Sequence, residues 1–176
     1  MMQRLFWILC TGLCALGLHL AYVLFMPRLE MGNLIQRFAA EKSSNELALL
    51  LPAEARAYFK ADYAEMVTAA CAFDVASGPV SLDAIIPDSY WTIRIYAAGG
   101  ELLFTLDDRQ AGLKRMRFVV KRAGEPVGLV ADAETITVES PQASGLILVQ
   151  ARTQEKAYEL RLQQALAAST CGRLIK

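Results

Sequence analysis

Residues 90–112, YWTIRIYAAGGELLFTLDDRQAG, decide the fold because they encode two strands that turn back on each other. From Tyr90 onward the side chains alternate between an apolar set and a second set, which is the period of a half-buried strand. The apolar set is Trp91, Ile93, Ile95 and Ala97, and the second set is Tyr90, Thr92, Arg94 and Tyr96. Gly99 and Gly100 can adopt the positive φ angles that a tight hairpin needs. The returning strand and the polar cluster that ends it are Leu102, Phe104, Leu106 and then Asp107, Asp108, Arg109, Gln110.

Short strand-like segments recur on both sides of this hairpin and are separated by turns rich in Gly and Pro. They cover residues 67–75, 80–82, 115–121, 136–139 and 146–151. In the third segment an apolar set alternates with a basic stripe, which indicates an edge strand protected by charge or a surface for headgroups or an acidic partner. The apolar set is Met116, Phe118 and Val120, and the stripe is Arg115, Arg117, Lys121 and Arg122. Residues 146–151, LILVQA, are apolar enough to be buried on both faces.

Two helices are predicted in the same part of the chain. Residues 52–66 carry Ala55, Phe59 and Tyr63 on one face, and residues 153–169 carry an apolar stripe of Tyr158, Leu162, Ala165 and Leu166. Short strands separated by Gly and Pro turns are typical of a sandwich or barrel. We therefore predict an α+β, mainly β chain: an N-terminal transmembrane helix, then an antiparallel β-sandwich or partial barrel with flanking helices and a C-terminal helix.

Residues 5–26, LFWILCTGLCALGLHLAYVLFM, form an apolar stretch without a formal charge. As a helix the stretch would be about 33 Å long, enough to cross a hydrocarbon core of about 30 Å. Arg4 and Arg28 bracket it, and Trp7 and Tyr22 lie towards its ends, where aromatic rings favour the membrane interface. A cleaved signal peptide would have a shorter apolar core and a small-residue cleavage site. A single membrane anchor is therefore favoured.

The anchor divides the chain into three predicted parts. Residues 1–28 are the anchor, residues 29–66 a helical juxtamembrane segment and linker, and residues 67–176 a β-rich domain. Positive charges lie near both ends of the apolar stretch, so their distribution alone does not decide the orientation. Short uncleaved anchors in bacteria commonly leave the C-terminal domain outside the cytoplasm. We expect a single-pass inner-membrane protein with its domain in the periplasm.

The four cysteines fall into two pairs. Cys10 and Cys14 lie one helical turn apart in the apolar stretch, where packing is their predicted role. Cys71 and Cys171 belong to the outer domain, where an even pair in an exported protein predicts a disulfide. Two buried free thiols are the alternative for that pair.

Composition and motifs exclude several classes of protein. Lys and Arg number 18 and Asp and Glu also number 18, so the chain lacks the basic footprint of a nucleic-acid binder. A single His and the absence of a CxxC motif leave little from which to build a zinc site or a Cys–His nucleophile. Walker loops, dinucleotide fingerprints and Ser-His-Asp arrangements are also absent. We expect a protein that is not an enzyme and that uses no metal or cofactor.

Residues 71–80, CAFDVASGPV, together with residues 90–112 resemble the small bacterial envelope proteins of the domain of unknown function numbered 1254. That family shows a Cys-x-aromatic-Asp-x-x-x-Gly-Pro segment, a Trp-(Ser/Thr)-x-x-(Ile/Leu)-Tyr strand, an aromatic-rich turn and Asn-Asp-Arg. Asp107 stands here in the place of the Asn. The resemblance implies a location in the envelope and a partner with the companion domain numbered 1214, often encoded alongside. It implies no reaction, because none is established for the family.

Six residues are candidates for binding a ligand or a partner: Tyr90, Trp91, Tyr96, Asp107, Asp108 and Arg109. The two carboxylates and the guanidinium could serve a ligand or acid–base chemistry. The competing interpretation is a turn, in which Asp accepts backbone N–H bonds and Arg109 pairs with a carboxylate. The three aromatic rings could stack on a ligand, although burial in a core is the more common role for such rings.

Three functions follow, in order of preference. The first is a periplasmic interaction or accessory module, held at the membrane and in contact with membrane lipid and an envelope protein. The second is a binding domain for a lipid or small apolar molecule held between the sheets. The third is an enzyme that uses Asp107, Asp108 and Arg109.

Overall fold

The computed structural model describes residues 2–60, 65–110, 114–126, 135–153 and 156–174. Along the chain its elements are α1 (Met2–Lys42), β1 (Ala48–Leu50), α2 (Pro52–Phe59), β2 (Met66–Asp74), β3 (Val80–Ile85), β4 (Trp91–Ala97), β5 (Leu102–Asp107), β6 (Arg115–Arg122), β7 (Thr135–Ser140), β8 (Ser144–Arg152), α3 (Lys156–Ala167) and β9 (Thr170–Arg173). The strands form a five-stranded sheet in the order β1-β2-β8-β4-β5 and a four-stranded sheet in the order β7-β6-β3-β9. The fold is α+β, as predicted, and both sheets are open.

The helix α1 is 41 residues long and contains Pro27. Its N-terminal half has the length and apolar composition to cross a membrane, and that half is fully exposed. Its C-terminal part is different, because Ile35 and Phe38 are buried against the rest of the fold. One helix therefore connects the apolar stretch directly to the domain.

The predicted hairpin is confirmed as β4 and β5. The strands pair antiparallel, with Thr92 opposite Asp107, and the register shifts between Ile95 and Tyr96. Gly100 supplies the positive φ angle, at 84°. This hairpin lies at one edge of the five-stranded sheet, so that β4 pairs with β8 on its other side.

A single hydrophobic core lies between the inner faces of the two sheets. The five-stranded sheet contributes Ile93, Ile95 and Ile147, and the four-stranded sheet contributes Leu82 and Phe118. The helix α3 adds Leu162 and Leu166 to the same core. The strand β8 is buried on both faces, as its apolar sequence predicted. Side chains thus occupy the space between the sheets in which the second of the three predicted functions placed a lipid or small apolar molecule.

A second hydrophobic core lies on the outer face of the five-stranded sheet. There Ile35 and Phe38 of α1 pack with Ala55 and Tyr58 of α2. The floor of this core is formed by outward-facing residues of β2 and β8: Ala70, Ala72, Leu146 and Leu148. The two helices therefore cover part of the face that a two-layer fold would leave to solvent.

Two sequence-based expectations for the strands were wrong. The strand β7 pairs with β6 in parallel, so the four-stranded sheet is mixed and not antiparallel. Because β6 also pairs with β3, it is an interior strand and not an edge. The basic stripe of β6 is accordingly used within the sheet: Arg115 and Arg117 both contact the Asp83 carboxylate at 3.3 Å, and Lys121 contacts Glu139 at 2.7 Å.

The helices also differ from the predicted stripes. Tyr158 is half exposed, whereas Leu162 and Leu166 are buried as predicted. Tyr63, predicted to continue the face of α2, lies outside the described residues. The predicted boundary after residue 28 falls inside α1, and the boundary at 66–67 coincides with the start of β2.

Candidate functional site

The predicted disulfide between Cys71 and Cys171 is present. Cys71 lies in β2 of the five-stranded sheet and Cys171 in β9 of the four-stranded sheet, so the bond links the two sheets across their shared core. Cys10 and Cys14 of α1 are free thiols. Disulfides persist in oxidising compartments, which bears on where this domain resides.

The polar cluster after β5 forms a local turn. The Asp107 carboxylate accepts the backbone N–H of Arg109 at 3.1 Å, and the Asp107 carbonyl accepts that of Gln110 at 3.1 Å. The Asp108 N–H donates to the Trp91 carbonyl at 3.2 Å, which ties the turn to β4. These bonds match the turn interpretation. The expected ion pair does not form, since no carboxylate among the described residues lies within salt-bridge distance of Arg109.

The three candidate aromatic residues do not converge. Trp91 is buried in the main core, whereas Tyr90 is partly exposed at the start of β4. Tyr96 is half-buried near the other end of the strand, on the outer face of the sheet. At about 3.3 Å per residue, roughly 20 Å separate Tyr90 from Tyr96 along the strand. Tyr90 and Trp91 therefore lie near the turn of Asp107, Asp108 and Arg109, whereas Tyr96 does not.

The α1 cleft, as we call it, is a cavity of 610 Å³ between α1, α2 and the outer face of the five-stranded sheet. Tyr96, Leu146 and Leu148 form its sheet side. Its helix sides carry Met31, Leu34 and Arg37 from α1 and Phe59 and Lys60 from the end of α2. Gly100 and Pro27 close the end nearest the apolar stretch. The sequence analysis placed only Tyr96 of these residues in a candidate site.

Tyr58 is the most constrained polar side chain of this cleft. Its ring lies 5.1 Å from the Phe38 ring, centroid to centroid, and the Arg37 guanidinium lies 4.9 Å from its centroid on the cleft side. Its hydroxyl donates a hydrogen bond to the Glu41 carboxylate. Burial, with the Glu41 bond as a second cause, raises the pKa of Tyr58 from 10.0 to about 12. Tyr58 is therefore a hydrogen-bond donor at all physiological pH values.

This pKa predicts a specific loss of stability at high pH. The unfolded chain releases the Tyr58 proton near pH 10.0, whereas the folded protein holds it until about 12. The contribution of this proton to the free energy of unfolding is fully present below pH 10 and is lost as the pH rises to about 12. We expect Tyr58→Phe to remove that part of the pH dependence, as measured by urea unfolding at several pH values. A Tyr22→Phe variant, changed outside the cleft, is the control; equal alkaline slopes for both would contradict the prediction.

The carboxylates around the cleft have partners of their own. Glu54 contacts Lys42 at 2.9 Å, and the Lys42 hydrogen bond lowers the pKa of Glu54. Glu30 contacts Lys60 at 3.2 Å. Among the described residues, no carboxylate lies within salt-bridge distance of Arg37. Its Nη2 donates to the Ala57 carbonyl at 3.3 Å.

A row of polar side chains, Thr68, Gln150 and Thr92, crosses the outer face of the five-stranded sheet next to the row that contains Leu148 of the α1 cleft. The Gln150 amide accepts from Arg94 at 3.3 Å and donates to the Thr68 hydroxyl at 3.5 Å. Thr92 lies directly opposite Gln150 and is 4 % exposed, yet its hydroxyl has no hydrogen-bond partner among the described residues. Arg94 lies opposite Leu148, so this row borders the apolar sheet side of the cleft.

A second cavity, of 590 Å³, lies at the opposite end of the strands. Asp88 and Ser89 line it from the β3–β4 connection, and Tyr158 and Arg161 line it from α3. Arg152 of β8 completes it and contacts Glu65 at 3.1 Å. Tyr90 follows Ser89 in sequence, and the Arg152 N–H donates to the Tyr90 carbonyl at 2.8 Å. We call this region, with Tyr90 and the turn of Asp107–Arg109, the polar end.

The described residues contain no group of three or more His, Cys, Asp and Glu side chains that could hold a metal ion. The polar end mixes carboxylates, guanidinium groups and hydroxyl groups, and the α1 cleft is apolar with cations at its rim.

No protein-family model matches the chain, and no curated protein matches it. Two solved structures share its fold. The VPA0106 protein of Vibrio parahaemolyticus aligns with a TM-score of 0.65 and 13% identity, over 89% of this chain and 38% of that chain. An uncharacterised protein of Burkholderia cenocepacia aligns with a TM-score of 0.51 and 12% identity, over 69% of this chain and 36% of that chain. The chain thus spans less than two fifths of the length of either protein.

Proposed function

We propose that this chain is a single-pass protein of the bacterial inner membrane whose periplasmic domain, a β-sandwich, is a non-catalytic interaction module of the cell envelope. We further propose that it belongs with the envelope proteins of the domain of unknown function numbered 1254. The observation that carries the proposal is the continuity of α1, which runs from the apolar stretch into the second core without a break.

A continuous helix would hold the domain at a fixed distance from the apolar stretch, whereas a flexible linker would not. Residues 27–42 of α1 add about 24 Å of helix beyond the apolar stretch at about 1.5 Å per residue. Ile35 and Phe38 are buried within that length, so the five-stranded sheet is attached to the helix itself. A domain attached in this way would be held at a fixed height above the bilayer, as suits a module that presents one surface to a neighbour.

The disulfide supports the periplasmic side. Cytoplasmic thiols are kept reduced, whereas an exported domain can keep a bond between Cys71 and Cys171. Protease treatment of spheroplasts tests this orientation: we expect digestion of the domain, and a domain that is digested only after lysis would contradict it.

The polar end is the surface we propose for the partner. It lies at the opposite end of the strands from Gly100, which approaches α1 at Pro27, and it exposes Tyr90, Asp108 and Arg109. In both structural neighbours the shared fold makes up little more than a third of a longer chain. We propose that a separate envelope protein, with the companion domain numbered 1214, packs against this end.

Purification at native expression level in mild detergent, followed by mass spectrometry, tests the proposal. We expect a stoichiometric envelope protein that is retained by the control variants Glu101→Ala and Arg122→Ala and lost from Asp108→Ala and Arg109→Ala. The control residues are exposed and lie at the hairpin end of the sheets. A wild-type protein that purifies alone, or a partner that is retained by all four folded variants, would contradict the proposal.

A further inference from the structure

We propose that the α1 cleft holds one anionic phospholipid of the membrane in which the chain is anchored. The phosphate would lie at Arg37 and Lys60, and an acyl chain would lie along Leu146, Leu148 and Tyr96. This inference goes beyond the interaction role proposed above and rests on its membrane anchor alone.

The position of the cleft is the first argument. Pro27, at one end of the cleft, directly follows the apolar stretch. Glu30 is four residues beyond Met26, about 6 Å along the helix, which is within the headgroup layer of a bilayer. Lys60 contacts Glu30 and therefore lies at the same height. Arg37 lies seven residues, about 10 Å, further along the helix, so a lipid of the adjacent leaflet would rise from the membrane surface to reach it.

Charge is the second argument. Arg37 borders the cleft with its guanidinium stacked on Tyr58, at 4.9 Å from the ring centroid, which fixes the direction of its remaining donors. Glu54 binds Lys42 and Glu30 binds Lys60, whereas Glu41 accepts a hydrogen bond from the uncharged Tyr58 hydroxyl. A guanidinium that lacks a carboxylate suits a phosphate, which it can bind through two parallel N–H bonds. The Lys60 ammonium at the rim is paired with Glu30, so it would meet the phosphate as part of that ion pair.

The apolar surface is the third argument. Leu146 and Leu148 lie on the sheet side of the cleft, and Met31 and Leu34 face it from α1. A free phosphate or a small polar ligand would gain nothing from these groups, whereas an acyl chain would cover Met31 and Leu34, which are partly exposed above the buried Leu146 and Leu148. The 610 Å³ of the cleft lies within the range of about 300–1,000 Å³ that is typical of cavities holding one ligand molecule. Cations at a rim above an apolar surface match an amphiphile with an anionic head.

The test compares lipid retention by four single variants of the full chain in detergent. Arg37→Gln removes the proposed phosphate ligand, and Arg28→Gln removes a charge of the same helix that does not line the cleft. Leu34→Trp fills the cleft from its helix side, and Gln36→Trp places the same ring on an exposed position of that helix. Each protein is incubated with phosphatidylglycerol or phosphatidylcholine and washed. Native mass spectrometry then measures how much of the protein carries a bound lipid.

We expect the wild-type protein and both control variants to retain one phosphatidylglycerol. Arg37→Gln and Leu34→Trp should lower that occupancy about tenfold or more, as expected for the loss of a charge-assisted contact or of the space for the chain. Phosphatidylcholine should be retained weakly by all, and excess inorganic phosphate should not displace the bound lipid. The melting temperature of each variant shows whether it is folded.

Three results would overturn the inference. Equal retention by all five proteins would mean that lipid merely surrounds the apolar stretch. Equal retention of both lipids would mean that Arg37 does not select an anionic headgroup. Displacement by inorganic phosphate would make the cleft a phosphate site. Carbonate extraction of membranes tests separately whether the chain is anchored in the bilayer, so loss of the anchor and loss of the lipid site give different results. Loss of the partner at the polar end is measured independently of both.

Discussion

Replacing Cys71 and Cys171 together by alanine is expected to lower the free energy of unfolding by about 3–5 kcal/mol. The bond closes a loop of sequence separation 100, and constraint of the unfolded chain grows with the length of the loop. Cys71 is fully buried, so the bond also holds β2 against β9 inside the main core. Alanine is the suitable replacement because a serine hydroxyl would be buried there without a partner.

Urea unfolding of the detergent-solubilised protein, followed by circular dichroism of its β-sheet signal, measures this change. The matched control is the double replacement of Cys10 and Cys14, which removes two free thiols of α1 and should leave the unfolding midpoint unchanged. In cells, thiol blocking before lysis should label only those two cysteines. Equal midpoints for the two double variants, or labelling of all four cysteines, would contradict the prediction.

Local patterns were sufficient to predict the part of the fold that depends on neighbours in sequence. The β4–β5 hairpin follows from alternation around Gly99 and Gly100, and burial of β8 on both faces follows from its apolar run. The parallel pairing of β6 with β7 could not be predicted in the same way. The two strands are consecutive in the chain, and alternation within each strand does not distinguish a parallel partner from an antiparallel one.

The sequence predicted a helical segment after residue 28 but placed it apart from the anchor, whereas α1 runs through both without a break. A proline removes one backbone donor from a helix and usually ends or kinks it, so local signals favour a boundary near Pro27. In the structure the helix continues to Lys42 because Ile35 and Phe38 are buried against α2 and the five-stranded sheet. Tertiary packing outweighs the local signal here.

The candidate sites also differ in whether a single segment of sequence could predict them. The turn of Asp107–Arg109 is local, and its backbone hydrogen bonds match the turn that the sequence suggested. The α1 cleft combines residues of α1, α2, β4 and β8, so no single segment carries its pattern. Arg37 resembles any exposed helical arginine in sequence, and only the structure shows that the nearby Glu30 and Glu54 are paired with lysines.

Replacing Phe38 by alanine is expected to lower the free energy of unfolding by about 3–5 kcal/mol, the usual cost of removing a buried aromatic side chain. Phe38 is fully buried, and its ring packs on Tyr58 at 5.1 Å between centroids. The cavity would open between α1 and the five-stranded sheet, so the helix should separate from the sheet before the two sheets separate from each other.

Hydrogen exchange measured by mass spectrometry distinguishes these two steps. In Phe38→Ala we expect faster exchange in α2 and in the C-terminal part of α1, while β4 and β8 remain protected because the disulfide-linked core is untouched. Leu29→Ala is the control, since Leu29 belongs to the same helix but is 62% exposed. If both variants exchange alike, Phe38 does not attach the helix to the sheet. The attachment of α1 would then depend on other residues of the second core, such as Ile35.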